Sequence, residues 1–276
     1  MHELLLFGQV PQSRHEQVLK ILAGVAAMQP RAVLERHLVY KPQREPEEPG
    51  SHLRRGGTQA IAMKTKAPAT ARDLYFSQLV NSLTRDDFDR DADEQAEAFV
   101  ATGESAADAK WSYQFHETPD TGDRGVLVRL AHNTELLSGD PHSYMVHLGN
   151  QYVSEYYLEG HRFVHDNIIV LLHRVLHESG VRPAPGVSPN TALPSFDSLR
   201  PLDPSGGYVL EAKIRVQDLN NPNVLDAGIE ELKRLKSQMK GCVELNVPDR
   251  LLLDTRVKYK PNLGPSAGAR PAVAPR

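Results

Sequence analysis

Hydrophobic and polar residues alternate along much of this chain with the two-residue period of half-buried β-strands. The clearest case runs from Tyr208 to Val216. There Leu210, Ala212, Ile214 and Val216 share one face, and Glu211, Lys213 and Arg215 share the other. Further strands are predicted at 3–10, 34–41, 110–117, 125–132, 152–159, 161–165, 168–177 and 251–259. Residues 73–83 fit a strand or a helix. A helix is the rival for 168–178, where β-branched residues favour the strand.

Three segments carry the signals of helices. Ser13 and Glu16 have the spacing of a capping box and predict a helix that ends before Pro30. Asp140-Pro141 predicts a short helix that ends near Gly149. Asn221-Pro222 opens the third, in which Glu230 can pair with Arg234. Its apolar stripe consists of Leu225, Gly228, Ile229, Leu232, Leu235 and Met239.

Because strands outnumber helices, we predict an α+β, β-dominated fold: an antiparallel β-barrel with about three flanking helices. Closing the sheet removes its exposed edges. A single domain over 1–260 is expected, with low-complexity insertions at about 44–72, 84–108 and 181–205 and a disordered tail over 261–276. The segment 84–108 has a net charge of −7, and we interpret it as a solvated insertion; an acidic interaction tail is the alternative.

Composition and charge narrow the function. Lys and Arg number 32 against 35 Asp and Glu, a net charge of −3, so no direct sequence-specific nucleic-acid binding is expected. The single cysteine, Cys242, excludes an intrachain disulfide and a cysteine-based zinc site. The longest apolar run, 168–172, is too short for a membrane span, and the start lacks the basic region of a secretory signal. We therefore expect an intracellular protein that does not bind membranes.

Candidate catalytic chemistry is sparse. His173 and His177 have the spacing of a metal-binding pair, but Arg174 stands where the zinc-protease motif needs Glu, and His161 and His165 offer no better site. Phosphate-binding and nucleophile-elbow motifs are absent. Cys242 is predicted to be a packed thiol. We thus predict no catalytic, cofactor-binding or metal-binding residue, no cofactor, and no enzymatic activity.

The charged face of the 208–216 strand leaves two interpretations open. If Glu211, Lys213 and Arg215 point into a barrel, they resemble an anion-binding tunnel; if they point to water, they form a solvated face, which we favour. Arg54-Arg55 and Lys64-Thr65-Lys66 are weak candidates for nuclear import.

Three blocks of sequence, in this order, resemble the family of Mediator of RNA polymerase II transcription subunit 18 in its fungal form. They span roughly 2–43, 110–178 and 200–260. The residues that carry the resemblance are Glu3–Pro11, Ser13–Gly24, His37–Pro42, Tyr156–Phe163, Ile168–Val175, Pro201–Ser205, Tyr208–Ala212 and Val247–Lys258.

The resemblance implies an antiparallel barrel related to the triphosphate-tunnel enzymes, and a non-catalytic role in the nucleus. It implies the Mediator head module, a coactivator that bridges transcription regulators and RNA polymerase II. The implied partners are Mediator subunit 20, as a heterodimer, and the C-terminal helix of Mediator subunit 8; the residues that contact them stay unknown. The alternative is an RNA triphosphatase or polyphosphate hydrolase. That chemistry needs Glu-x-Glu pairs for a divalent metal, whereas Glu3, Glu35 and Glu211 stand singly.

Overall fold

A computed structural model describes residues 1–44, 73–103, 109–180, 187–217 and 221–258 of the chain. Eight of the strands in these ranges build the main sheet. They are β1 His2–Val10, β2 Arg31–Pro42, β3 Ser77–Ser82, β5 Trp111–His116, β6 Leu127–Leu136, β8 Asn150–His165, β9 Ile168–Glu178 and β11 Tyr208–Val216. A short β10, Leu199–Pro201, extends the edge of β9. β4 Ala101–Thr102 and β7 Ser138–Gly139 form a separate two-stranded ribbon.

The main sheet closes on itself. Its strands follow the order β9-β11-β1-β6-β5-β3-β2-β8, and β8 then pairs with β9. Every pairing is antiparallel. The closing hairpin turns at Asp166-Asn167, where Asp166 adopts a positive φ of 52°. The predicted antiparallel barrel is confirmed, and the ambiguous segments 73–83 and 168–178 both contain strands.

Four α-helices lie in the described part of the chain: α1 His15–Ala26, α2 Ala92–Phe99, α3 Pro141–His147 and α4 Pro222–Met239. The buried stripe of α4 is the predicted one, and Asn221 and Asp140 cap α4 and α3 as expected. The core between α1, α4 and the barrel wall contains Leu4, Leu6, Val18, Leu22, Leu172, Leu210, Ala212, Leu232 and Leu235. The apolar face of the wall therefore points outward, under helices. No described helix combines the length and the hydropathy that a membrane crossing needs.

The acidic segment corrects one prediction. Part of 84–108 folds as a short 3-10 helix, Arg85–Asp89, followed by α2 and β4, and α2 adds a helix to the three that the sequence signals. Phe88 and Phe99 are buried: Phe88 packs beside Tyr157, and Phe99 packs edge-on against Trp111 at 5.1 Å between ring centres. The interpretation as a solvated insertion is wrong for 84–102, because two aromatic anchors offset the poor propensity of an acidic stretch.

Other local predictions are also wrong. The first helix starts at His15 with no side-chain cap, so Ser13 and Glu16 do not form a capping box. The strands predicted at 152–159 and 161–165 are one strand, because Gly160 lies within β8. The described part of the strand predicted at 251–259, residues 251–258, is not a strand. Arg250–Leu253 is a 3-10 helix, and Tyr75 and Arg256 make an isolated bridge. In 181–205 the described part contains β10.

Several predicted segments fall where the structure gives no description. The insertion at 44–72, apart from Arg44, and the tail at 261–276 lie outside the described residues, as do Arg54, Arg55, Lys64 and Lys66. Their predicted disorder, and the weak import signal, therefore stay predictions. Glu230 is described, and it pairs with Lys233 at 2.9 Å rather than with Arg234.

The charged barrel interior as candidate functional site

The inward face of the barrel wall is polar, whereas the outward face is apolar. A cavity of about 880 Å³ runs through the barrel and is lined from all eight wall strands. Six carboxylates and five Lys or Arg side chains line it, with five histidines. Since successive residues of a strand point to opposite faces, the residues that alternate with the buried Leu4, Leu6, Leu210 and Ala212 must point inward. The solvated-face interpretation of Glu211, Lys213 and Arg215 is therefore wrong; all three line the cavity.

Glu3 is the centre of an ion-pair network. The register of β1 places Glu3 directly opposite Arg215 on β11 and Arg129 on β6. Arg129 donates Nε and Nη2 to Glu3 Oε2 at 3.0 and 2.7 Å, and Arg215 Nε lies 3.4 Å from Oε1. Burial raises the pKa of Glu3, but Lys213 and Arg129 outweigh it and lower the pKa to about 2. Glu3 is thus a buried carboxylate whose charge is fully matched.

Glu211 is held in the same way by its own strand. Lys213, two residues on and on the same face, places Nζ 2.8 Å from Glu211 Oε1. Burial raises the pKa of Glu211, but the charges of Lys213 and Arg129 lower it by more than burial raises it. The net shift of the pKa is therefore downward. The Glu211 carboxylate is ionised and forms an ion pair with the Lys213 ammonium group.

Glu35 belongs to a third group with His37, Gln78 and Tyr156. His37 lies between Glu35 and Gln78, with Nε2 3.1 Å from Glu35 Oε2 and Nδ1 3.0 Å from Gln78 Oε1. Tyr156 donates its hydroxyl to Gln78 Oε1 at 3.1 Å and stacks on the His37 ring. Burial raises the pKa of Tyr156 to about 12, so its hydroxyl stays a donor at neutral pH.

Two of the interior histidines, His116 and His173, have a lowered pKa. Burial, together with Arg129, lowers the pKa of His116 to about 4, and burial lowers the pKa of His173. His173 and His177 both line the cavity. Both sit on strand β9, so their Cα atoms are about 13 Å apart and they cannot share a metal ion. Within the described ranges no three His, Cys, Asp or Glu side chains converge as metal ligands.

A divalent metal of the triphosphate-tunnel kind does not fit these carboxylates. Such a site needs a second inward carboxylate two residues beyond the first. The residues in that position are Leu5 after Glu3, His37 after Glu35 and Lys213 after Glu211. Ammonium and guanidinium groups already occupy Glu3 and Glu211. We therefore assign no step to a metal.

The remaining candidate residues lie elsewhere. His161 is on the outer face of β8, 5.7 Å between ring centres from His15, and His165 ends that strand. Cys242 is half-buried against the core under α4, where burial raises the pKa of its thiol. The sequence prediction missed Arg129, His116 and the buried Arg36, which donates to Glu155 and to the carbonyl of Asn190. Only the strand register shows what these residues meet.

The fold and the site together define the class of protein: an antiparallel β-barrel with helices packed on its outer wall and paired charges in its interior. The sequence relationship is specific. The Med18 protein family model matches residues 2–256. Mediator of RNA polymerase II transcription subunit 18 of Coccidioides immitis is 38% identical over 276 residues, covering 94% of this chain and all of that protein. The subunit 18 of Aspergillus fumigatus is 35% identical, with the same coverage. The chain belongs to the Mediator subunit 18 family.

The fold also matches a solved structure. A chain in the structure of the Schizosaccharomyces pombe Mediator head module superposes with a TM-score of 0.61 at 18% identity, over 90% of this chain and 99% of that one. At this identity the match shows a shared fold across nearly the whole of both chains.

Proposed function

We propose that this chain is a non-catalytic subunit of the Mediator head module, a nuclear coactivator that bridges transcription regulators and RNA polymerase II by protein–protein binding. Its membership of the subunit 18 family carries the proposal. The barrel interior supports it, because Glu3 and Glu211 are already neutralised by Arg129 and Lys213. Carboxylates in such pairs are poorly placed to bind a metal or to act as general bases.

The outer surface supports a binding role. Leu251 and Leu252 are 54% and 77% exposed on the 3-10 helix at one mouth of the barrel, where Leu202 is 62% exposed. Tyr144 and Leu148, one turn apart on and just after α3, are 43% and 55% exposed. Apolar side chains in such positions are typical of surfaces that bind a partner. The proposed partners are Mediator subunit 20 and the C-terminal helix of Mediator subunit 8.

Co-expression tests the proposal. The full chain, expressed with subunits 8 and 20 of the same organism and purified through one tag, should yield a stoichiometric complex. Leu251→Ser/Leu252→Ser and Tyr144→Ser/Leu148→Ser change exposed residues and should leave folding intact, so loss of a partner would identify the surface used. Arg234→Gln/Lys240→Gln on the exposed face of α4 is the control. Purification of the chain without either partner would contradict the proposal.

A hydrolase is the second candidate, because Glu211, Lys213 and Arg215 do line the cavity. We expect the purified chain to release no phosphate from tripolyphosphate or from RNA 5′-triphosphate, with or without manganese. Manganese-dependent release that Glu211→Gln abolishes, while the variant keeps the wild-type melting curve, would overturn the non-catalytic assignment.

A further inference from the structure

Three arginines surround one mouth of the barrel, at the end where β1 starts and β11 finishes. Arg31 opens β2 and lies directly opposite Arg162 on β8. Residues opposite each other in an antiparallel pair project from the same face, and Arg162 lines the cavity. Arg31 therefore stands on the inner face at the rim. Arg215, which also lines the cavity, lies on β11, two strands from β8. The residue of β11 level with Arg162 is Glu211, so Arg215 lies four residues nearer the end of β11, about 16 Å from Arg162 along the wall. We call Arg31, Arg162 and Arg215 the basic mouth.

Two of the three charges of the basic mouth, those of Arg31 and Arg162, have no counter-ion in the described ranges. Arg31 and Arg162 are exposed, and in the described ranges neither forms an ion pair or a side-chain hydrogen bond. Arg215 reaches Glu3 only at 3.4 Å, and Arg129 holds that carboxylate at 2.7 Å. Like charges directly opposite on paired strands destabilise a sheet. The exposed pair Arg31 and Arg162 therefore opposes folding, and an anion from outside the chain would offset that repulsion.

The surface just inside the mouth is apolar. Val33 follows Arg31 by two residues on the same face, Leu171 lies opposite Arg162, and Ile169 is the next inward residue of β9. All three line the cavity and are half-buried. The mouth thus pairs guanidinium groups at the rim with aliphatic side chains behind them.

Guanidinium groups at the rim with aliphatic side chains behind them favour an acidic polypeptide over a nucleic acid as the ligand. Carboxylates accept bidentate hydrogen bonds from guanidinium groups, and a peptide can place aliphatic or aromatic side chains between its carboxylates. A nucleic-acid backbone would bring further phosphates towards Glu3 and Glu35, which line the same cavity. The net charge of −3 opposes a long polyanion as well.

We propose that the basic mouth binds a segment of a partner protein in which Asp or Glu alternates with aliphatic or aromatic residues. The inference rests on the proposed binding function and names the chemistry of one partner. The guanidinium groups of Arg31 and Arg162 hold the carboxylates of the segment, and Val33, Ile169 and Leu171 receive its apolar side chains.

Fluorescence anisotropy on the full chain tests the proposal. The probe is a labelled peptide in which Asp alternates with Leu and Phe; the comparison probes are an Asp-Ser peptide and an RNA oligonucleotide of equal charge. We expect the Asp-Leu-Phe peptide to bind most tightly and to weaken as salt rises. Arg31→Gln/Arg162→Gln should weaken this binding at least about tenfold. The control Arg234→Gln/Lys240→Gln removes the same charge from α4 and should bind like wild type.

Two further measurements, the melting midpoint and assembly with subunits 8 and 20, distinguish failure of this proposal from failure of the proposed function. Removing the opposed charges should leave the melting midpoint of Arg31→Gln/Arg162→Gln equal to or above that of wild type. A lower midpoint would show that the arginines have internal partners and would contradict the proposal. Equal binding by the Asp-Ser peptide or the RNA, or unchanged binding by the double variant, would overturn it. Assembly with subunits 8 and 20 is measured on the same samples, because its failure in wild type would instead contradict the proposed function.

Discussion

Glu3 shows why a carboxylate can lie inside this barrel. A buried charge without partners is costly, and the two strands beside β1 each place an arginine opposite Glu3. The two hydrogen bonds from Arg129 offset much of the free-energy cost of burying the Glu3 carboxylate. The same pairing keeps the carboxylate ionised and unavailable for other chemistry.

Replacing one member of this pair should be more harmful than replacing both. Glu3→Gln leaves the Arg129 guanidinium buried without a counter-ion, and we expect it to lower the free energy of unfolding by about 3–5 kcal/mol. Glu3→Gln/Arg129→Met removes both charges and should recover much of the loss. Urea denaturation of the two variants measures the difference; a double variant less stable than Glu3→Gln would refute this account of the pair.

Gly160 allows β8 and β9 to approach each other. A Cβ at this position would clash with the carbonyl oxygen of Leu172. Because that oxygen belongs to the backbone of β9, relieving the clash would require the strand itself to shift. We expect Gly160→Ala to destabilise the chain by more than about 1 kcal/mol in thermal denaturation.

Gly24 provides the matched control. It lies exposed within α1, and a Cβ there meets nothing within 4 Å. Gly24→Ala should therefore stabilise the chain by about 0.5–1 kcal/mol, because alanine favours the helix. A Gly160→Ala variant as stable as wild type would show that the two strands are not in close contact.

The residues of the network could be predicted only in part. Alternation placed Glu211, Lys213 and Arg215 on one strand face, but sequence alone does not show which face of a sheet is buried. The pairing of Glu3 with Arg129 and Arg215 depends on two strand registers, which join residues more than a hundred positions apart. No local pattern carries that information.

At the scale of elements, α2 is the least expected feature. Its sequence is acidic, and its packing rests on Phe99, which contacts Trp111 across the outer wall of the barrel. Leu38, Tyr40 and Met145 complete that small core. The acidic segment is thus anchored to the barrel at 85–102.

Fluorescence of Trp111, the only tryptophan of the chain, reports on this anchoring. Phe99→Ala should shift its emission to longer wavelength and lower stability by about 3–5 kcal/mol, because water reaches the indole and a cavity remains. Val100→Ala, a change at an exposed neighbour, is the control. Identical spectra of wild type and Phe99→Ala would mean that α2 does not cover Trp111.

Elements with a clear period were predictable, and those fixed by distant contacts were not. The stripe of α4 and the alternation of β11 specify their structure locally. Two phenylalanines in an acidic run give no such period, so α2 was missed. Residues 251–259 have strand composition, but the described residues 251–258 lie along the barrel rim, where Thr255 donates to the carbonyl of His116. The predictions of α3 and α4 are confirmed, because Asp140 and Asn221 cap these helices through residues next to them in the sequence.

The whole molecule combines an apolar outer wall with a polar interior. α1, α2, α3 and α4 pack on the outside, so the barrel does not need a hydrophobic centre. Buried titratable groups inside the barrel then make stability depend on pH.

Acid should unfold the chain in two overlapping ranges. His116 has a pKa of about 4 in the fold against 6.5 unfolded, so its contribution is complete above pH 6.5 and is lost as the pH falls towards 4. Glu3 has a pKa of about 2 against 4.5, so its contribution is lost between those values. Urea denaturation at a series of pH values measures both, and His116→Gln should flatten the upper range. A free energy of unfolding that stays constant from pH 7 to 4.5 would contradict these assignments.

The proposed function is that this barrel binds other Mediator subunits. Light scattering of the purified full chain, mixed with separately prepared subunits 8 and 20, tests it most directly. The account predicts one species whose mass equals one copy of each chain. Persistence of the full chain at its own mass, beside an assembled pair of the other two, would contradict it.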